Sequence, residues 1–196
     1  FNGFAWAYVR TPQMGRTHGQ HALPITAGFW LATILNRLFY NFQRMDEYHD
    51  GLVGKISGAV GAYNAQAALG ITSRTKVPSF EWRVLDYLGL KAGRISTQVV
   101  QPEPLAYYLY SAMMLSASFA QFGRDARHLM RSEIGEVMEP FDDGQVGSST
   151  MAHKRNPISF ENLEGTWFND GFRGAMGELL LAIEEDREPE NGAREN

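Results

Sequence analysis

The segment Gly147–Pro157 reads GSSTMAHKRNP, in which a glycine precedes two serines and a lysine and an asparagine follow. No apolar period runs through the segment, which argues against both a buried strand and an amphipathic helix. Pro157 opens the next helical pattern at a favoured first position. The sequence therefore predicts a glycine-hinged loop that places Ser148, Lys154 and Asn156 near one another. Backbone N–H groups in such a loop can form an anion-binding nest, which suits chemistry that builds negative charge on a carboxylate.

The composition indicates an ordinary globular chain. Its 196 residues are 44% hydrophobic, enough for one domain with a sizeable core. The chain has no cysteine, which excludes disulfides and thiolate chemistry and fits a cytoplasmic location. No apolar run has the length of a membrane span, and the start does not resemble a signal peptide. Because the first residue is Phe1, we expect the chain to be a piece of a longer protein.

The formal net charge of −4 is concentrated at one end of the chain. The tail Glu184–Asn196 holds six acids and two arginines, which accounts for the whole net charge and leaves the preceding residues formally neutral. The absence of a basic stripe argues against a nucleic-acid surface. An anionic substrate would therefore need a local cationic site rather than a global field. Residues 186–196 lack periodicity, and we expect this acidic tail to be poorly ordered.

Three long helical patterns determine the predicted fold class. They cover residues 24–50, 103–133 and 157–185, and shorter helices are predicted at 62–69 and 78–88. Helices of this length cannot bury their apolar faces within one compact monomer, so the fold class is all-α, a long-helix bundle. Residues 1–13 are the expected end of a preceding helix and a linker. Residues 14–185 form the expected central helical domain, which contains a signature loop at 144–157.

Apolar residues step by four and three along the first two long patterns, which predicts one packed face on each helix. In the first helix this face consists of Leu31, Leu35, Leu38, Phe42 and Met45. In the second helix it includes the small residues Ser116, Gly123 and Ala126, which permit close approach of a neighbouring helix. The polar, glycine-punctuated residues 13–23 are predicted to be an irregular connection.

The signature loop resembles that of the fumarase/aspartase superfamily of lyases. Four further stretches resemble the adenylosuccinate lyase family, and they occur in the family's order: Gly15–Gln20 (GRTHGQ), Gly54–Ala65 (GKISGAVGAYNA), Arg131–Val137 (RSEIGEV) and Phe160–Gly165 (FENLEG). The resemblance extends from Met14 to Gly177, which is nearly all of the chain but under half of a family enzyme. It implies the central helical domain of such an enzyme, assembled as a homotetramer, with neither a metal nor an organic cofactor.

The resemblance also implies a reaction. Family members release fumarate by β-elimination, from adenylosuccinate to give AMP and from the matching succinyl-aminoimidazole carboxamide ribotide in purine biosynthesis. Such C–N cleavage needs a base for the carbon-bound proton, donors for the charge that develops on the adjacent carboxylate, and an acid for the departing nitrogen. The implied substrate is a small-molecule nucleotide, and neither nucleic acid nor membrane is implied as a partner.

Ser148 and His18 are the candidate catalytic residues. Loop amides and the charge of Lys154 would stabilise a deprotonated Ser148, and the resemblance places the catalytic serine at this position. An imidazole can donate and recover a proton near neutral pH, and His18 takes the role of general acid by resemblance. The alternatives are a serine that caps a turn and a structural histidine. His18 and His21 are three residues apart, but no third metal ligand lies nearby in the sequence.

Further residues are candidates for binding the substrate. Lys154 and Asn156 would hold the reacting carboxylate, and Ser149 follows the catalytic serine. Thr17 and Gln20 would contact the substrate or orient His18. By resemblance, Gln98 matches a substrate-binding glutamine, while Lys55 and Asn64 belong to a motif near the active site. The glycines of that motif also allow close approach of helices and loops. Ala152 stands where the family has proline, and we expect a looser loop.

Two other interpretations remain open. The signature loop is shared by other superfamily lyases and cycloisomerases, such as argininosuccinate lyase. A non-catalytic helical oligomerisation fragment would also retain these motifs. Family active sites form from three subunits, so we expect His18 and Ser148 to come from different chains. The family's other two domains are missing from this chain, and we expect the isolated chain to show little or no activity.

Overall fold

A computed structural model describes residues 2–71, 79–140, 148, 150–151, 153–168 and 177. Its helices confirm the all-α class, and its strands are short. Within the described residues the element order is α1 (Asn2–Ala7), β1 (Pro12–Thr17), β2 (Gln20–Thr26), α2 (Ala27–His49), β3 (Val53–Gly54), α3 (Asn64–Ala68), α4 (Phe80–Tyr87), β4 (Lys91–Ala92), α5 (Glu103–Leu129) and α6 (Ile158–Phe168). In this part of the chain no helix combines the length and apolarity needed to cross a bilayer.

The chain divides into two compact units. The first comprises residues 1–42 and 113–175, and the second comprises residues 43–112 and 176–196. The remainder of the third predicted helix, apart from Gly177, lies outside the described residues, as does the 186–196 tail.

In the first unit, the predicted irregular connection at 13–23 is a β-hairpin. Strands β1 and β2 pair antiparallel, and the register is interrupted between Met14 and Arg16. Pro24 pairs with Met14 inside β2, so α2 begins at Ala27 rather than at Pro24. Proline has no N–H to donate and is tolerated in a strand beside such an irregularity. The polar composition concealed the hairpin, because β1 and β2 show no clear alternation of apolar residues.

The buried face of α2 only partly matches the predicted face. Leu38 is buried as expected, but Phe42 is 52% exposed, and Ile34 and Asn41 face the interior instead. Asn41 is accepted there because its Nδ2 donates to Ser118 Oγ at 2.7 Å and to the Met114 carbonyl at 3.3 Å. Burying a side-chain amide costs little free energy when the amide has hydrogen-bond partners. The apolar pattern alone would place position 41 on the solvent side of the helix.

The prediction that small residues on α5 allow close helix packing is confirmed at Gly123. A Cβ at this position would lie 2.8 Å from the carbonyl oxygen of Phe160, at the start of α6. Aromatic contacts surround this crossing, with Phe122 stacked on Trp30 and edge-on to Phe160, both at 5.8 Å between ring centroids. Helix α6 therefore packs against α5 through a backbone-to-backbone approach.

The second unit contains the glycine-rich motif at 54–65. Strand β3 pairs parallel with β4, and a Cβ at Gly54 would lie 2.8 Å from Cδ2 of the buried Leu85 in α4. Helix α4 begins where Ser79 Oγ accepts the Trp82 N–H at 3.2 Å, a standard N-cap. The predicted shorter helices are confirmed as α3 and α4, each shorter than predicted.

Candidate active site

The Thr17–Gln20 motif forms the tip of the β1–β2 hairpin. Thr17 pairs with Gln20, so the loop contains two residues, His18 and Gly19. Their φ angles are 54° and 75°, the left-handed pair that a type I′ turn requires. Glycine adopts this conformation freely, and histidine is among the side chains that tolerate it. His18 is exposed at the most protruding position of the hairpin.

An ion pair connects the hairpin to a second family-like motif. Arg16 Nη2 lies 2.6 Å from Glu136 Oε1, within the Arg131–Val137 stretch. This hydrogen bond lowers the pKa of the Glu136 carboxyl, and smaller contributions of the same sign come from Gln13, from the Arg16 charge and from His21. The pair therefore fixes β1 next to the tip of the hairpin, two residues before His18.

A cavity of about 440 Å³ lies between the hairpin and the end of α5. Arg16 and Gly19 line it from the hairpin, and Asp125, His128 and Arg131 line it from α5 and the residues that follow. Burial raises the pKa of the Asp125 carboxyl. Of the two residues in the hairpin loop, Gly19 lines this cavity and His18 does not.

Ser148 lies in a turn in which two backbone N–H groups donate hydrogen bonds to its hydroxyl oxygen. The Ser148 Oγ accepts the N–H groups of Thr150 at 3.4 Å and Met151 at 3.3 Å. The Lys154 N–H donates to the Met151 carbonyl at 3.0 Å, which continues the turn. Such amides would favour a negatively charged serine oxygen, and the same geometry also suits a serine that caps a turn. Ser149 and Ala152 lie outside the described residues.

A buried carboxylate fixes the start of α6 and with it the end of the signature loop. Glu139 is 8% exposed, and its carboxylate accepts the N–H groups of Ser159 at 3.2 Å and Phe160 at 2.9 Å. The Asn156 carbonyl accepts the Ile158 N–H at 3.0 Å. These contacts satisfy backbone N–H groups that the N-terminus of a helix otherwise leaves without a hydrogen bond. Asn156 therefore lies two residues before the start of a capped helix.

Lys154 and Asn156 line a cavity of about 640 Å³ that we call the cationic cleft. Its wall is formed by the end of α5, by the residues after it and by the residues around the start of α6: Arg124, Arg127, His128, Met130, Arg131, Ser132, Gly135, Val137, Met138, His153, Lys154, Arg155, Asn156, Pro157, Glu161 and Glu164. Among the described residues of this lining, five carry a guanidinium or ammonium group and two carry a carboxylate. Both carboxylate-binding candidates line the cleft, whereas neither Ser148 nor His18 is among its described lining residues.

Glu164 organises one wall of the cationic cleft. Its side chain is 9% exposed and lies 2.7 Å from Arg124 Nε, and it also accepts a hydrogen bond from Arg127 Nη1. The Arg124 hydrogen bond, followed by that from Arg127, lowers the pKa of the Glu164 carboxyl. Arg127 and Arg131 also line this cleft, although neither lies in a sequence pattern that predicts a site residue. Their four-residue spacing at the end of a helix was the signal that could have found them.

The second unit holds the remaining candidates. Lys55 Nζ donates to the carbonyls of Gly58 at 2.6 Å and Gln98 at 2.8 Å. Lys55 and Gln98 are both predicted site residues, and they are joined here through the backbone of Gln98. The Gln98 side chain is exposed, as is Asn64 at the first position of α3. Gly61 has φ 72°, and a Cβ there would overlap the Ser96 carbonyl. The Lys55 ammonium thus holds two loops together in this structure.

The buried carboxylate of Glu81 connects two segments of the second unit, and no sequence pattern predicted this contact. Its carboxylate accepts the Ile56 N–H at 2.7 Å and the Tyr63 hydroxyl, whose pKa this hydrogen bond raises to about 12. Tyr63 itself has φ 58°, a left-handed conformation directly before α3. Across the described ranges, no three His, Cys, Asp or Glu side chains lie close enough together to hold a metal ion.

The model of a protein family described as lyase matches residues 1–169. The chain therefore belongs to this lyase family. Within the fumarase/aspartase superfamily it is adenylosuccinate lyase-like, as its relatives show. The adenylosuccinate lyase of Thermotoga maritima is 41% identical over 159 residues, which cover 81% of this chain and 35% of that enzyme. The N-acetyl-S-(2-succino)cysteine lyase of Dickeya dadantii is 39% identical over 157 residues, covering 80% of this chain and 33% of that enzyme.

A solved structure supports the same placement. The 3-carboxy-cis,cis-muconate lactonizing enzyme from Pseudomonas putida superposes with a TM-score of 0.73 at 31% identity, covering 93% of this chain and 39% of that one. The chain thus spans about a third of the length of the curated relatives it matches. The names of the two relatives and of the solved structure describe different substrates.

Proposed function

We propose that this chain is the central helical domain, at residues 14–185, of a cytoplasmic lyase that cleaves a C–N bond by β-elimination and releases fumarate. Its substrates would be adenylosuccinate, which yields AMP, and the succinyl-aminoimidazole carboxamide ribotide of purine biosynthesis. The observation that carries the proposal is the position of Lys154 and Asn156, side by side in a cationic cleft at the start of a capped helix. That position suits a group that binds a substrate carboxylate as its negative charge increases.

In this proposal each residue has one chemical role. Ser148 removes the proton from the carbon beside the carboxylate, and the N–H groups of Thr150 and Met151 lower the cost of its negative charge. Lys154 and Asn156 hold the carboxylate as charge moves onto it. His18 gives its proton to the departing nitrogen. Ser149, Thr17, Gln20 and Gln98 contact the substrate, and Lys55 and Asn64 support the loops around it.

The proposal includes a homotetramer whose active site is shared between subunits. Large apolar side chains support assembly, since Phe39 is 61% exposed and Phe42 52% exposed on α2. Leu105 and Tyr107 are similarly exposed at the start of α5. Apolar surface of this kind on long helices is typical of bundles that form between chains. His18, at an exposed hairpin tip, would then reach a serine of a neighbouring subunit.

The test is substitution of Ser148 in the protein that carries this chain. We expect Ser148→Ala to lower kcat by roughly a thousandfold or more, because the base is removed while the binding groups remain. The oligomeric mass should not change. Thr33→Ala, which removes an exposed hydroxyl from α2, is the control and should retain full activity. Full turnover by Ser148→Ala would remove the base assignment.

A second candidate is another lyase or cycloisomerase of the superfamily. The similarity to an enzyme named N-acetyl-S-(2-succino)cysteine lyase favours this candidate, because that name describes a sulfur rather than a nitrogen at the bond to the succinyl group. Fumarate release from adenylosuccinate, argininosuccinate and N-acetyl-S-(2-succino)cysteine separates the candidates. If a correctly assembled protein releases fumarate from none of these substrates, the remaining interpretation is a non-catalytic oligomerisation module.

A further inference from the structure

The side chains of Gln13, Arg16 and Glu136 form a hydrogen-bonded group beside the tip of the β1–β2 hairpin, which we call the Glu136 cluster. Arg16 Nη2 lies 2.6 Å from Glu136 Oε1, and Arg16 Nη1 donates to the Met14 carbonyl at 3.2 Å. The Gln13 side chain also donates a hydrogen bond to the Glu136 carboxylate. One carboxylate therefore holds two positions of β1, on either side of Gly15.

The hairpin is irregular at the point that the Glu136 cluster spans. Between the regular pairs on either side, one residue of β1, Gly15, lies opposite two residues of β2, Ala22 and Leu23. A Cβ at Gly15 would lie 2.5 Å from the Leu23 carbonyl oxygen, so the two strands approach closely here. Such a bulge bends a strand and changes the direction of the side chains beyond it. The geometry of this bulge therefore determines where the hairpin tip lies.

The backbone of Glu136 is itself fixed to the end of α5. Its N–H donates to the Leu129 carbonyl at 2.9 Å, and the Gly135 N–H donates to the Arg131 carbonyl at 2.8 Å. Gly135 has φ 58°, the left-handed conformation that commonly ends a helix. The carboxylate therefore approaches β1 from a segment that is hydrogen-bonded to a long helix.

The burial of Gln13 has a cost that an apolar residue would avoid. Gln13 is 8% exposed, and its Oε1 is buried with no hydrogen-bond partner in the part of the chain that the structure describes. An unsatisfied amide oxygen in the interior destabilises the folded state. What the amide supplies in return is its N–H donor to the Glu136 carboxylate. The side chain at position 13 therefore serves the placement of β1 more than the stability of the fold.

We infer that the Glu136 cluster positions His18, and that Glu136 is its central positioning residue. The inference rests on the proposed function, in which His18 gives its proton to the departing nitrogen. His18 follows Arg16 by two residues and lies in a two-residue loop, so a shift of the bulge moves its imidazole directly. A displacement of about 1 Å in a reacting group can lower a rate by roughly a hundredfold. The cluster acts on the reaction only through His18.

Gln13→Met separates positioning from stability, because the two effects should have opposite signs. The methionine keeps the side-chain volume and removes the unsatisfied oxygen, so the melting temperature should be unchanged or higher. In the protein that carries this chain, kcat should fall roughly tenfold, whereas KM should change by less than about twofold, because Lys154 and Asn156 still bind the carboxylate. A merely structural glutamine would lower kcat only together with stability. Unchanged kcat in Gln13→Met would overturn the inference.

A double-mutant cycle tests Glu136 itself. Glu136→Gln and Arg16→Gln should each lower kcat roughly tenfold or more, and the double variant should be no slower than the slower single variant, since both break one contact. Additive losses would overturn the inference. Ser118→Ala is the control for lost stability, because it breaks the buried hydrogen bond to Asn41 away from the hairpin and should retain full kcat. An equal loss of kcat in Ser118→Ala would attribute the effect to stability and overturn the inference.

Arg16→Lys is the variant to use if Glu136→Gln fails to fold by circular dichroism. The lysine keeps the positive charge but lacks the guanidinium fork that reaches Glu136 and the Met14 carbonyl together. It should therefore still lower kcat. Full kcat in Arg16→Lys would overturn the inference.

Hydrogen exchange measured by mass spectrometry gives a readout that does not depend on turnover. Peptides that cover residues 13–21 should exchange faster in Gln13→Met and Glu136→Gln than in the unchanged protein, while peptides from the middle of α2 should not. Unchanged exchange at the hairpin would overturn the inference even if Ser148→Ala is inactive. Full turnover by Ser148→Ala would instead remove the base assignment while the hairpin still responds to the cluster, so the two ideas fail separately.

Discussion

Arg16 and Glu136 are 120 positions apart in the chain, yet their side chains meet with Nη2 2.6 Å from Oε1. Both side chains are mostly buried, at 16% and 24% exposure. The pair joins the tip end of the β1–β2 hairpin to the segment that follows α5. Two motifs that the sequence showed only as separate stretches are therefore parts of one contact.

This ion pair should make stability depend on pH in a defined direction. The pKa of Glu136 is lowered from its ordinary 4.5 when the chain folds. The stabilisation is therefore present above that value and is lost as pH falls through the lower folded pKa. We expect Glu136→Gln to lower the melting temperature at pH 7, and this difference should shrink on acidification below about pH 4.5. Glu133→Gln, at an exposed carboxylate, should show neither effect; a pH-independent difference for Glu136→Gln would contradict the assignment.

Glu139 should control the start of α6. Glu139→Ala removes the acceptor for two helix N–H groups, and we expect a loss of about 1–2 kcal/mol in the free energy of unfolding. Amide hydrogen exchange at Ser159 and Phe160 should accelerate in the same variant, while exchange at Leu38 in α2 should not. Urea denaturation gives the first quantity and exchange monitored by NMR the second. Unchanged protection at Ser159 and Phe160 would mean that the carboxylate does not hold the helix end.

Two glycines on facing helices should respond in opposite ways to the same substitution. Gly123→Ala places a Cβ 2.8 Å from the Phe160 carbonyl, and we expect a loss of about 1–3 kcal/mol in unfolding free energy. Gly165→Ala meets nothing within 4 Å and lies in α6, so it should be neutral or stabilise by up to about 1 kcal/mol. Thermal unfolding of both variants measures the contrast. Equal effects would show that the α5–α6 approach is looser than described.

Tyr63 should ionise later than an ordinary tyrosine. Its hydroxyl donates to buried Glu81, which raises its pKa from 10.0 to about 12. The hydrogen bond stabilises the folded state below the unfolded pKa, and this contribution is lost as pH rises through the folded value. Ultraviolet titration of the unchanged chain and of Tyr63→Phe should differ by a phenolate signal near pH 12. Tyr87→Phe, at a residue that is 90% exposed, is the matched control and should retain the phenolate signal near pH 12.

The sequence predicted the first two long helices and the start of the third well, because their signals are local. Glu103 does begin α5, and Pro157 does directly precede α6. The hairpin was missed because it depends on a left-handed His18 and on cross-strand pairing, neither of which appears as an apolar period. The exposed Phe42 shows a second limit. A periodic pattern cannot distinguish a face that packs within one chain from a face that another chain would cover.

Individual candidate residues of the site could be named from the sequence, but the residues that lie around them in the fold could not. The spacing of Lys154 and Asn156 pointed to one anion site, and both side chains line the cationic cleft. Arg131 reaches the same cavity from the far end of another helix, a proximity that tertiary packing alone creates. Glu139 and Glu81 likewise act on segments 18 to 25 positions away, through buried carboxylates that no local pattern marks.

The backbone of Gly61 lies so close to the Ser96 carbonyl that the glycine-rich motif is a poor marker of catalytic activity. Since even a methyl group would overlap the Ser96 carbonyl, any descendant that keeps this loop crossing must keep the glycine, whether or not it retains catalysis. A survey that sorts active from inactive members of the lyase family by that glycine would therefore misclassify the inactive ones.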